Sequence, residues 1–199
     1  MKHIRRTRPP IQPAMKDSVF PFLSTRPDVP PDRPPRAPIT RKDFILADLD
    51  SMRIRILDLA SALPPTKREE VFLGEWSLRD LMAHLIGWDI ALLAASQDIL
   101  VGELPSFYHL RDADWKTLNR QFVMQYNRGD WTELLNAVQD SHAQLLAFLD
   151  TVPQDEFTRN HGITYDGSPV TIGRLLVAEI KDERAHYEQI REWAGPAEE

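Results

Sequence analysis

The sequence contains no cysteine, and this absence removes a whole block of chemistry. A disulfide framework, a thiolate nucleophile, and every cysteine-ligated zinc or iron–sulfur site are excluded. Glycine is scarce, at 8 of 199 residues, and no glycine-rich phosphate loop or Gly-x-Ser-x-Gly elbow is present. Long apolar runs are also missing. The longest, Leu81 to Ala95, is broken by His84 and Asp89 and is shorter than the ~20 residues of a membrane span. No apolar stretch follows Met1, so no secretory signal is expected and the expected location is the cytoplasm, away from any membrane.

Proline is plentiful but unevenly placed. Ten of 16 prolines lie in residues 1–40, where 8 Lys+Arg face 3 Asp+Glu; residues 41–199 carry 16 against 27. A basic arm of net +5 therefore precedes an acidic body of net −11, which together give the formal −6. The division expected is a Pro-rich, irregular and disordered arm over 1–39, a helical domain over 40–195, and a short tail over 196–199. An acidic body repels phosphate backbones, so no nucleic-acid partner is expected.

From Thr40 onward the pattern is helical. Thr40 with Asp43, Ser77 with Asp80, and Asp130 with Glu133 each place a capping side chain three residues before an acid. The first helix presents Phe44, Leu46, Leu49, Met52, Ile56, Leu57 and Leu59, and ends at Pro64 and Pro65. The second spans Leu78 to about Leu100 and is apolar nearly all round, which places it centrally in a bundle. A shorter third piece covers Asp114 to Tyr126, a fourth runs from Asp130 to about Asp150, and a last runs from Thr171 to about Ala194. A short hairpin is expected around Asp166-Gly167-Ser168-Pro169. The fold class is all-α: an up-down four-helix bundle with an extra short helix.

Chemistry is sought where polar residues fall on faces predicted to be buried. His84 sits mid-helix, one turn from Leu81 and Trp88. On the last helix the stripe Leu175, Glu179, Asp182, His186, Gln189, Trp193 is polar through its middle. Asp182 and His186 are four apart and project to one side, so both can grip one metal ion, with His84 as a third ligand if the second and last helices pack together. Glu179 and Glu183 are alternate ligands. Two other readings stay open: a core histidine satisfied by one hydrogen bond, and a simple Asp–His helix pair. Glu183-x-x-His186 also matches the di-iron bundle motif, but no second copy exists.

Trp76-Ser77-Leu78-Arg79-Asp80-Leu81 followed by Ala83-His84-Leu85-Ile86-Gly87-Trp88 resembles the second-helix signature of the DinB-like superfamily. The closest branch is the ClbS/DfsB-like one. The resemblance covers roughly residues 40–194 and implies a four-helix bundle. It also implies a divalent metal (Zn, Mn, Fe or Ni) held by one histidine on the second helix and a His-x-x-x-His pair on the last. His84 and His186 match; position 182 is Asp where the pattern has His. It further implies an enzyme acting on a small electrophilic molecule, by transfer of a low-molecular-weight thiol or, as in the ClbS-like branch, by hydrolysis linked to resistance. The alternative is a non-catalytic bundle that sequesters a ligand or serves as a dimeric scaffold, with a degenerate metal site. Trp76, Trp88, Tyr126, Tyr165 and Tyr187 are expected to line the pocket, and a homodimer fits a small bundle.

Overall fold

The computed structural model describes residues 38–110 and 112–195, with the side chains of residues 112 and 113 left aside. The arm expected over 1–39, except Pro38 and Ile39, and the tail 196–199 lie outside these residues.

The long helices are α1 (Arg41–Ala62), α3 (Leu78–Leu100), α4 (Asp112–Tyr126), α5 (Trp131–Thr151) and α6 (Ile172–Ala194). A four-residue helix, α2 (Pro65–Arg68), follows α1. Pro65 thus ends the first helix and opens the next, because its missing N–H costs nothing at a helix start. Two small antiparallel hairpins complete the chain: β1 (Val71–Leu73) with β2 (Trp76–Ser77), and β3 (Thr164–Tyr165) with β4 (Ser168–Pro169). The second was expected. The first was not, since its strands are too short to show an alternating pattern.

All three capping boxes form. Thr40, Ser77 and Asp130 each accept from the backbone N–H three residues on, while Asp43, Asp80 and Glu133 accept from the cap residue's own N–H. These reciprocal bonds satisfy amides that a helix start leaves open and set where each helix begins.

Helix α1 packs on α6, α3 packs on α5, and α4 lies along α3. At Gly87 an added Cβ would run into the Phe122 ring, so the glycine allows α4 its close approach. The apolar core has two halves. One gathers Leu49, Leu92, Leu145, Leu176 and Ile180; the other gathers Met52, Ile56, Leu81, Leu85, Val138 and Ile190. Each helix runs from one half into the other, and α1 and α6 do so in the opposite sense to α3 and α5. With α4 counted, successive long helices alternate in direction.

The buried stripe of α1 differs from the expected one. Ile45 is buried and Phe44 is 60% exposed. Two basic residues, Lys42 and Arg53, are buried instead. Lys42 is tolerated because Nζ donates to the carbonyls of Asp150 (2.6 Å) and Val152 (2.7 Å) at the end of α5, where unpaired carbonyls favour a cation. A hydropathy pattern scores lysine as surface and cannot register such a partner. The segment 102–110 contains a 3₁₀ turn, Ser106–His109, that buries Phe107.

Candidate metal centre

His84 is fixed by the Ser77 cap, which starts α3 seven residues earlier. Asp182 and His186 are fixed on one face of α6 by their four-residue spacing. The fold brings the three together: each offers one ligand atom, and those atoms lie within 4.8 Å of one another. The imidazoles of His84 and His186 meet edge to face, centroids 5.4 Å apart at 86°. Both rings are buried, while Asp182 is exposed.

Gln189 Oε1 lies 2.8 Å from His186 Nδ1 and accepts its proton, so Nε2 faces the site with its lone pair. Asp182 Oδ2 stands 3.4 Å from that Nε2. The contact is close, but it is longer than a well-made hydrogen bond. Both His84 Nδ1 and His186 Nε2 are buried without a hydrogen-bond partner. Burial, then the charges of His186 and Arg53, push the His84 pKa down to about 3, so its ring is neutral at ordinary pH. Burial also disfavours charge on His186, but Asp182 and Gln189 outweigh it and raise its pKa. Contact with His186 holds Asp182 below the usual carboxylate range against some burial.

The three residues form the floor of a pocket of about 420 Å³. Trp76 packs 4.8 Å from the His84 ring. Trp88 stacks on Trp115 at 5.6 Å and 19°, and its indole N–H donates to Asn119 Oδ1 at 3.1 Å. Phe107 and Tyr108 complete the wall, and Tyr165 leans on Tyr108 at 4.8 Å without lining the pocket itself. Trp76 and Trp88 were expected here. Tyr126 and Tyr187 were too, but they pack against the second half of the core. Tyr187 follows His186 directly, so it lies about 100° round the helix, where the Arg55 guanidinium covers it at 4.1 Å. Phe107, Tyr108, Trp115 and Asn119 come from the loop and α4. Their role depends on how α4 folds back on α3, which no local pattern reveals.

Of the alternate ligands, Glu179 lines the pocket and Glu183 does not. Burial, then the charge of Glu183, raises the Glu179 pKa well above the normal value. Glu183 points into a second cluster. Its Oε1 accepts from Arg53 Nη2 at 2.6 Å, and Arg53 also grips Asp89 through two bonds of 2.7 and 2.9 Å. Ser141 Oγ donates to Asp89 at 2.7 Å, and His142 Nδ1 lies 3.5 Å from it. Asp89, His142 and Glu183 also converge as ligands would, but the Arg53 guanidinium already stands among them as the cation. Neither Arg53 nor Asp89 was singled out from sequence, and His142 was given no role.

No helix among the described residues is long and apolar enough to cross a membrane. No curated protein matches the chain in sequence. Among solved structures, the colibactin self-resistance protein ClbS in complex with double-stranded DNA is similar at TM-score 0.62 and 18% identity, over 77% of this chain and 94% of that one. An uncharacterised protein from Escherichia coli UTI89 is similar at TM-score 0.63 and 17% identity, over 79% and 94%. DfsB, a sibling lethal factor precursor, is similar at TM-score 0.63 and 16% identity, over 76% and 94%. These likenesses establish the fold, and they agree with the ClbS/DfsB resemblance read from the second helix.

The ClbS complex corrects one expectation, that nucleic acid is excluded. A protein of this fold holds duplex DNA. The charge argument failed because a sum over the chain does not describe the face a duplex would meet. Arg41, Lys181 and Arg184 gather around one depression between α1 and α6 on an otherwise acidic body. The profile of the DinB superfamily matches residues 48–190, a span that contains His84, Asp182 and His186. The chain belongs to the DinB superfamily.

Proposed function

We propose that this protein is an enzyme that holds one divalent metal ion through His84, Asp182 and His186 and acts on a small electrophilic molecule in the aromatic pocket. One observation carries the reading. Two buried imidazoles, each with a ring nitrogen that lacks a hydrogen-bond partner among the described residues, converge with one carboxylate at the pocket. Buried polar atoms are seldom left unpaired, and a metal ion is a partner that the two rings and the carboxylate can share. Two histidines and a carboxylate suit zinc, manganese or iron.

A bound ion of this kind acts as a Lewis acid or lowers the pKa of a coordinated water. The chain's own residues do the rest. Gln189 sets which nitrogen of His186 faces the pocket. Burial keeps His84 neutral and able to donate its lone pair. Glu179, whose pKa burial and the nearby Glu183 charge raise, is placed to deliver a proton to a departing atom. Trp88, Trp115 and Phe107 exclude water and offer flat apolar surface. No Lys or Arg lies among the described lining residues, so a carboxylate-bearing thiol finds no anchoring cation. This favours hydrolysis over thiol transfer, and with it a resistance role of the kind named for ClbS.

Elemental analysis of the purified protein tests the reading. About one zinc, manganese or iron per chain, lost in both His84→Ala and His186→Ala, supports it. A metal-free protein whose ligand binding ignores both substitutions overturns it in favour of a sequestering or scaffold bundle.

A second reading adds duplex DNA as a partner, favoured by Arg41, Lys181 and Arg184, which have no ion-pair partner among the described residues and share their depression with one acid, Asp48. Fluorescence anisotropy with a labelled duplex tests it: affinity falls as salt rises, and charge reversal at Lys181 and Arg184 abolishes binding. Binding that ignores those reversals moves the interface elsewhere.

A further inference from the structure

The buried charges beside the pocket touch no solvent and line no part of its wall, yet they join the same two helices that carry the ligands. We propose that Arg53 is a positioning residue, which sets the spacing of His84 from Asp182 and His186 by clamping α3 to α6 through Asp89 and Glu183. This rests on the metal reading above.

Three observations support it. First, the attachment points bracket the site. Asp89 lies five residues after His84 on α3, and Glu183 lies between Asp182 and His186 on α6. Second, the clamp is rigid. Arg53 makes three bonds of 2.6 to 2.9 Å, and the side chains of all three residues are 1% exposed. A planar guanidinium holding one carboxylate by two bonds and another by a third fixes both distance and direction. Third, α3 and α6 share little contact of their own. The broad contacts are α1 with α6 and α3 with α5. Arg53, reaching from α1, supplies a direct and directional link at the level of the site. Apolar packing alone would allow these helices to slide, since it lacks direction.

The choice of charge over apolar packing is itself informative. A buried ion triad is often no more stabilising than well-packed apolar residues of similar volume. Geometry, rather than stability, is then what the triad contributes.

The test replaces the whole triad, Arg53→Met with Asp89→Leu and Glu183→Met, and measures zinc affinity by competition with a chromophoric chelator alongside the melting temperature. The expected result is a melting temperature near or above wild type with zinc binding at least about tenfold weaker. Wild-type zinc affinity in the folded triple variant overturns the proposal. If the triple variant fails to fold, Glu183→Met alone decides. It leaves Arg53 paired with Asp89 and frees α6, so weakened zinc binding in the folded protein supports positioning, while an unchanged affinity reduces Arg53 to a structural role. Crystal structures of the metal-free proteins provide a reading independent of zinc. The His84 and His186 ring centroids, 5.4 Å apart in wild type, are expected to separate in the variant, and an unchanged spacing overturns the proposal. Should wild type bind no metal, the metal reading fails and this spacing still decides the clamp.

Discussion

Two clusters of buried histidine and carboxylate lie side by side in this bundle, and they behave differently. His84, Asp182 and His186 open onto a pocket and leave two nitrogens unpaired. Asp89, Glu183 and His142 are closed in and grouped about Arg53. The residue types are nearly the same. The difference is whether the protein supplies its own cation. Where arginine fills that position, the cluster carries its own counter-charge, although both His142 ring nitrogens and Glu183 Oε2 still lack a hydrogen-bond partner among the described residues. Where no cation is built in and the cluster opens onto a pocket, an incoming cation can take that place.

The largest expected effect breaks the closed cluster. Arg53→Met alone leaves Asp89 and Glu183 buried without a counter-charge, at a cost of about 3–5 kcal/mol in denaturant unfolding. A cost below about 1 kcal/mol would mean that the carboxylates are already neutral and that the contrast is false.

Next in size is the open cluster. His84→Ala removes a direct ligand and should weaken metal binding by more than about 100-fold, beyond the loss typical of an outer-shell partner, while the helical circular dichroism stays intact. The same histidine sets a pH dependence. Its folded pKa, about 3, lies below the ordinary histidine value of 6.5, so the unfolded chain binds the extra proton between those limits. Apo-protein stability therefore falls as pH drops from about 6.5 toward 3, and His84→Leu flattens that slope in urea titrations. Equal slopes in both proteins would show that another group is responsible.

A smaller perturbation reaches the pocket alone. Gly87→Ala drives a methyl group into Phe122 and pushes α4, with Trp115 and Asn119, off α3. The cost should be about 1–3 kcal/mol. Altered tryptophan fluorescence with wild-type zinc affinity would separate the pocket wall from its floor; a loss of zinc binding would join them.

The smallest effect concerns Glu179, whose raised pKa means that ionisation costs stability as pH rises above the normal carboxylate value. Glu179→Gln removes that cost. A melting temperature higher by about 2–4 °C at pH 7, with no gain near pH 4, is expected in calorimetry. A uniform gain at both values would point to packing rather than charge.

The contrast also marks what was legible in the sequence. Helix starts were readable because Thr40, Ser77 and Asp130 act over three residues. His84, Asp182 and His186 were readable because their spacing is helical and their neighbours are apolar. Arg53 was not, because arginine reads as surface until Asp89 and Glu183, 36 and 130 residues away, are brought to it. Tyr187 and Phe44 failed for a related reason: an apolar residue at the edge of a stripe is assigned to a face by one residue of rotation. Phe107, Tyr108 and Trp115 reach the pocket only through the return of α4, a long-range outcome.

The capping boxes carry a further consequence. Asp43, Asp80 and Glu133 are turned onto the starts of their own helices, where the peptide dipoles present about half a positive charge each. Part of their negative charge is thus answered locally, before it reaches the solvent. The dipole adds no net charge, so the pairing changes where charge sits at each helix start and leaves the formal −6 of the chain unchanged.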